Sequence, residues 1–148
     1  VAAIPNPLIN ITLQGRMDTY PKRRGLTRVP ALRAAGVTVA WGQDCVMDPW
    51  YPLGSGDMLD VAHMGLHVAL MTAQDQIRAA FEMITSTPAQ ILGLDFGLAP
   101  GKRASLVVLD AADPVEALRL RPARLWVISN GAVVARTEPA ASVSDVAF

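Results

Sequence analysis

The chain has 148 residues, 51% of them hydrophobic and 18% charged, with 13 basic against 13 acidic side chains. A net charge of zero gives no electrostatic case for nucleic acid or for an anionic membrane surface. A single cysteine, Cys45, excludes an internal disulfide and is compatible with a reducing cytoplasm.

The apolar runs Val37–Trp41 and Leu106–Leu109 fall far short of the ~20 residues that a membrane-spanning helix needs. No secretory leader is legible, and the start at Val1, in an apolar segment broken by proline, reads as a start inside a fold. Val1–Ile4 reads as the end of a buried strand, stopped by Pro5 and Pro7. Leu8–Gln14 reads as a loop with at most a short extended piece. Asp18–Gly25, with Pro21 and the cations Lys22, Arg23 and Arg24, reads as an exposed, solvated turn.

Thr27 is placed to cap a helix running to about Ala35, with Pro30 in its first turn and Gly36 as the C′ residue. Val37–Trp41 follows as an unbroken apolar run, the pattern of a strand covered on both faces in a parallel sheet. Loop, helix, glycine and buried strand together make a β/α unit. Gly42–Gly56 is a long loop, of the kind that more often carries function than not. Helices are expected over about Asp57–Met71, Ala73–Thr85 and Thr87–Leu94, the last with Pro88 at its first position.

Leu98–Lys102 reads as a Pro-Gly turn and Ala104–Leu109 as a strand. Asp113 caps a short helix, Pro114–Leu120. Strands Arg124–Ser129 and Ala132–Arg136 are joined by Asn130-Gly131, a strong hairpin signal. The last dozen residues read as a loosely held tail. Residues 1–96 are therefore β/α material and residues 97–148 a small β-rich element. Neither closes a core alone, because two buried strands cannot form the doubly covered sheet that Val37–Trp41 demands.

Asp44 lies just past the end of that apolar strand. In parallel α/β barrels this end carries the active site, where an aspartate can bind a cation or shuttle a proton. The other reading is a carboxylate capping the next turn. Trp50 and Tyr51, flanked by Pro49 and Pro52, can wall a flat conjugated ligand or plug the barrel rim. Asp48, before Pro49, reads as a turn residue. His63 and His67 share a helical face but have no glutamate between them, and are read as structural histidines rather than metal ligands. Cys45 has only carboxylates near it in sequence, which oppose a reactive thiolate. Gly-x-Ser-x-Gly is absent, as is the Pro-Cys-x-x-Cys motif of small zinc deaminases.

Two stretches go beyond generic pattern: Asn6–Gly25 (NPLINITLQGRMDTYPKRRG), and Gly42–Gly54 (GQDCVMDPWYPLG) followed by His63–His67 (HMGLH). They closely resemble bacterial cytosine deaminases of the amidohydrolase superfamily. Thr87-Pro-Ala and Gly97–Asp110 (GLAPGKRASLVVLD) look like the passage from barrel to β-sandwich in that superfamily.

The resemblance implies an α/β fold: the C-terminal part of a distorted (β/α)8 TIM-type barrel over residues 1–96, and strands of a small β-sandwich over 97–148. It implies one divalent metal ion, Fe2+ or Zn2+, with Asp44 as its last ligand and as a proton acceptor. It also implies Trp50 and Cys45 beside a heterocyclic substrate, and hydrolytic deamination in the cytoplasm. The family pattern Gly-His-Asp-Asp is replaced here by Gly42-Gln43-Asp44-Cys45, which opens the choice of amino-heterocycle. The family's His-x-His pair and middle-strand histidine are not among these residues. The other metal ligands are thus expected from a complementary N-terminal segment or chain, and the chain by itself is expected to be inactive. No nucleic acid or membrane partner is implied, and a homo-oligomer is compatible. The rival readings are a hydrolase of the same superfamily that opens a cyclic amide, and a non-catalytic fragment acting as an interaction module.

Overall fold

Ala2–Ala3 (β1) and Thr38–Val39 (β2) lie side by side as parallel strands, in the register Ala2 with Thr38 and Ala3 with Val39. The computed structural model describes residues 1–139, so the tail expected over the last dozen residues lies largely outside the described part. The pairing of β1 with β2 continues past both strands: Ala40 N–H donates to the Ala3 carbonyl at 3.1 Å, and Gly42 N–H to that of Pro5 at 3.0 Å. Val39, Ala40 and Trp41 are buried, as continuous apolarity demands. β1 is not the buried strand expected: Ala2 is exposed and Ala3 half-buried. Among the described residues its sheet has only these two strands.

Between the strands lie Pro7–Leu13 (α1) and Val29–Ala34 (α2). Helix α1 corrects the loop expected over Leu8–Gln14. Its β-branched Ile9, Ile11 and Thr12 lower intrinsic helix propensity. Burial of Leu8 and Ile9 in the core shared with Met58–Val68 (α3) outweighs that small deficit. Pro7 at N1 suits the start. In α2 the cap is Arg28 rather than Thr27, and no side chain caps it. Thr27 instead turns its carbonyl to the Val29 N–H at 2.7 Å. The 18–25 turn is exposed as expected, pinned by the Asp18–Arg23 pair.

Helix α3 begins at Asp57, whose carboxylate accepts from the Leu59 N–H at 2.9 Å. Gln74–Glu82 (α4) and Ser86–Ile91 (α5) follow. Pro88 is the third residue of α5 rather than the first. Leu106–Leu109 (β3), Arg124–Ser129 (β4) and Ala132–Arg136 (β5) form an antiparallel sheet in the order β3-β4-β5. Asn130 and Gly131, at φ 50° and 82°, make the left-handed pair that a tight hairpin requires.

Pro114–Leu120 (α6), capped by Asp113, joins this sheet to the rest. It packs on α3 and α4, and its Leu118 is 1% exposed within the same apolar cluster as Val29, Trp41, Val61 and Met71. A polar seam flanks that contact. His63 Nδ1–H donates to the Leu118 carbonyl at 3.0 Å, Arg121 lies 3.4 Å from Asp60, and Arg124 pairs with Asp57. His63 thus ties α3 to α6, while His67 stays exposed on α3 with its Nδ1 2.7 Å from the His63 carbonyl.

Candidate functional site

Trp41 anchors the end of β2 in the core, its backbone N–H donating to the Met83 carbonyl at 2.9 Å. The chain then leaves the sheet through Gly42, and Asp44 adopts φ 66°, a left-handed conformation that aspartate tolerates better than most residues. Gln43 bridges this turn, its Nε2 donating to the Cys45 carbonyl at 3.0 Å. Cys45 is buried, and its Sγ lies 3.4 Å from Asp44 Oδ1. Burial, then the carboxylates of Asp48 and Asp44, push its thiol up to about 12, so it is no thiolate nucleophile at neutral pH.

The loop beyond is held by Asp48. Its Oδ1 accepts from the N–H groups of Trp50 and Tyr51, both at 2.9 Å. These bonds, the Tyr51 N–H first, hold its carboxyl below the usual carboxylate range. The turn-residue reading of Asp48 is the observed geometry. The two aromatics divide the roles weighed for them. Tyr51 is 8% exposed and plugs the core, while Trp50 is 65% exposed and free to face a ligand.

Asp44 is exposed, which counts against an enclosed ligand role for it within these residues alone. It is not free, however. Asn6, alongside because β1 and β2 are parallel, donates from Nδ2 to Asp44 Oδ2 at 3.2 Å. Sequence reasoning gave Asn6 no role of its own, naming it only as the start of the stretch Asn6–Gly25 that carries the family resemblance. The available signal was an Asn-Pro step at the same end of a parallel pair as Asp44.

The structure therefore brings together Asn6, Asp44 and Cys45, and leaves Trp50 on the adjoining loop. Among the described residues no three His, Cys, Asp or Glu side chains converge on a point that could hold a metal ion. Two carboxylate oxygens, a neutral amide and a protonated thiol do not make a complete site for a catalytic divalent ion. Two surface recesses, of about 600 and 450 Å³, lie elsewhere: one beside Asp95, Lys102 and the Asn130-Gly131 turn, the other beside Arg24, Arg28 and Val68.

Known proteins agree on one family. The model of the amidohydrolase family named Amidohydro_3 matches residues 1–135. The chain is 32% identical over 142 residues to a pterin deaminase of Rhizobium rhizogenes, covering 94% of this chain and 32% of that protein. It is 33% identical over 109 residues to N-isopropylammelide isopropyl amidohydrolase of Pseudomonas sp. (strain ADP), covering 72% and 27%. Among solved structures, 5-methylcytosine deaminase from Klebsiella pneumoniae, liganded with 5-fluorocytosine, superposes with a TM-score of 0.85 at 39% identity, over 100% of this chain and 35% of that one. The chain thus spans about a third of the length of these relatives. With residues 1–135 of its 148 matched by the family model, the chain belongs to the amidohydrolase family.

Proposed function

We propose that these residues form one wall of the site of a hydrolase that removes an amino group from a heterocycle of the cytosine type. Water would replace the exocyclic amine, leaving a ring carbonyl and ammonia. The observation that carries this reading is the full-length superposition at 39% identity on a liganded 5-methylcytosine deaminase, joined to a carboxylate held at the end of a parallel strand.

On this reading Asp44 is the catalytic carboxylate of the chain, and Trp50 and Cys45 lie beside the ring. Members of the family generally use a divalent metal ion. The donors described here do not hold one by themselves, so Asp44 would be one ligand among others from outside these residues, on a complementary segment or chain. Residues 1–96 would be the last β/α units of the barrel, supported by the parallel β1–β2 pair. Residues 97–148 would belong to the β-sandwich, supported by the antiparallel β3-β4-β5 sheet. A cytoplasmic location belongs to the same proposal; among the described residues no helix is long and apolar enough to cross a membrane. Ring opening of a cyclic amide is not favoured, since two of the three relatives are deaminases by name.

The test is ammonia release from cytosine, 5-methylcytosine and pterin by the active polypeptide that carries these residues, with ring-opened acids monitored in parallel. Asp44→Ala should abolish turnover, a loss on the order of a thousandfold or more. Full activity of that variant, or a ring-opened product, would defeat the proposal.

A further inference from the structure

Asn6 occupies the N-cap position of α1, where an asparagine ordinarily turns its side-chain oxygen onto the free N–H groups of the first turn. It makes no such bond here, and N1 is Pro7, which has no N–H to offer. The side chain instead crosses from the end of β1 to the turn after β2 and donates to Asp44 Oδ2 at 3.2 Å. That crossing needs space at position 42. A Cβ on Gly42 would stand 2.1 Å from Asn6 Oδ1 and 3.0 Å from Ile4 Cγ2. Only glycine leaves the Asn6 side chain where it is. The unused cap, the glycine gap and the donor aimed at the carboxylate are separate features that meet at one contact.

We propose that Asn6 is a positioning residue for Asp44, selecting the rotamer in which the carboxylate meets the reacting centre, with Gly42 as the gap that admits it. The inference rests on the deaminase reading of Asp44. Its physical basis is that Asp44 is an exposed side chain on a left-handed turn, with several rotamers open to it in water. The hydrogen bond from a neutral amide to an ionised carboxylate is charge-assisted and directional. It orients the carboxylate before substrate arrives, and a group misplaced by an ångström loses much of its effect. Gln43 serves the same end from the backbone side, through the Cys45 carbonyl.

The contact itself is read from the side-chain amide of Asn6 in the isotopically labelled 148-residue chain. One Nδ2 proton should be shifted downfield and exchange slowly, and Asp44→Ala should return it to the position of a free asparagine. The role is read from kinetics of the active polypeptide. Asn6→Ala and Gly42→Ala should each lower kcat on the order of tenfold, with KM changed by less than about threefold. Asn6→Asp keeps the shape and the capacity to cap α1 but has no N–H to donate, so it should lose at least as much as Asn6→Ala. Wild-type kcat in Asn6→Asp, or an Asn6 amide indifferent to Asp44→Ala, overturns the inference. If Asp44→Ala itself keeps turning over, the deaminase reading of Asp44 fails and the positioning role with it, even where the amide signal shows the contact intact.

Discussion

Gly65 sits in the middle of α3, where replacing glycine by alanine ordinarily stabilises a helix by about 0.8–1 kcal/mol. Here the sign should reverse. A Cβ on Gly65 would lie 2.8 Å from both Cε2 and Cζ2 of Trp41 and 3.1 Å from Cδ2. The indole cannot easily retreat. It is 2% exposed, and its backbone is tied to the Met83 carbonyl at 2.9 Å. Overpacking a filled core costs about 1–3 kcal/mol. Set against the gain in helix propensity, Gly65→Ala should destabilise by about 1 kcal/mol, or roughly 3 °C in Tm for a chain of this length. In a Trp41→Leu background the obstacle is gone and the same substitution should stabilise. The coupling between the two positions should therefore be about 2 kcal/mol. Urea unfolding followed by circular dichroism measures all four corners of the cycle. A rise in the urea midpoint for Gly65→Ala in the wild-type background, at unchanged slope, would refute the reasoning, because it would show the ring yielding at no cost.

The other outcomes concern titrating groups. Burial, opposed by the bond to the Leu118 carbonyl and aided by the charges of Arg121 and His67, holds His63 below its usual value of 6.5. The unfolded chain then takes up the proton first, so stability should fall as pH drops from about 6.5 toward the lowered folded value and level off beneath it. The melting temperature followed from pH 7.5 to 5 should show this step, His63→Gln should flatten it, and an unchanged profile in the variant would count against the seam. Cys45 should resist iodoacetamide at pH 7.5 in the folded chain and react at once in urea, because its thiol is buried and held protonated. Labelling of the native chain at the rate of a free thiol would contradict that placement.

Local chemistry was legible wherever a short segment settles its own conformation. Asp113 caps the helix expected of it, the helix expected from about Asp57 starts there with Asp57 as its cap, and Asn130-Gly131 turns a hairpin between the strands assigned on either side. Val39–Trp41 is buried because an unbroken apolar run has no polar face to show water. The helix over Pro7–Leu13 is not legible locally: its β-branched residues speak against one, and the burial of Leu8 and Ile9 that outweighs them is a long-range fact. The inward strand expected at 1–4 failed for a related reason: apolarity records what a strand can bury, and burial needs a neighbour that is present.

The sequence by itself determined most of the elements from α2 onward, the family resemblance and the nomination of Asp44, since each depends on residue type and near-neighbour spacing. Only the tertiary structure decided that Asn6 stands beside Asp44, 38 positions away, that Trp50 faces solvent while Tyr51 is buried, and that Leu118 belongs to the core of the helices before it. Those are contacts between segments far apart in the chain. They follow from the parallel register of two strands and from the way helices settle over a shared apolar surface, which no local pattern encodes.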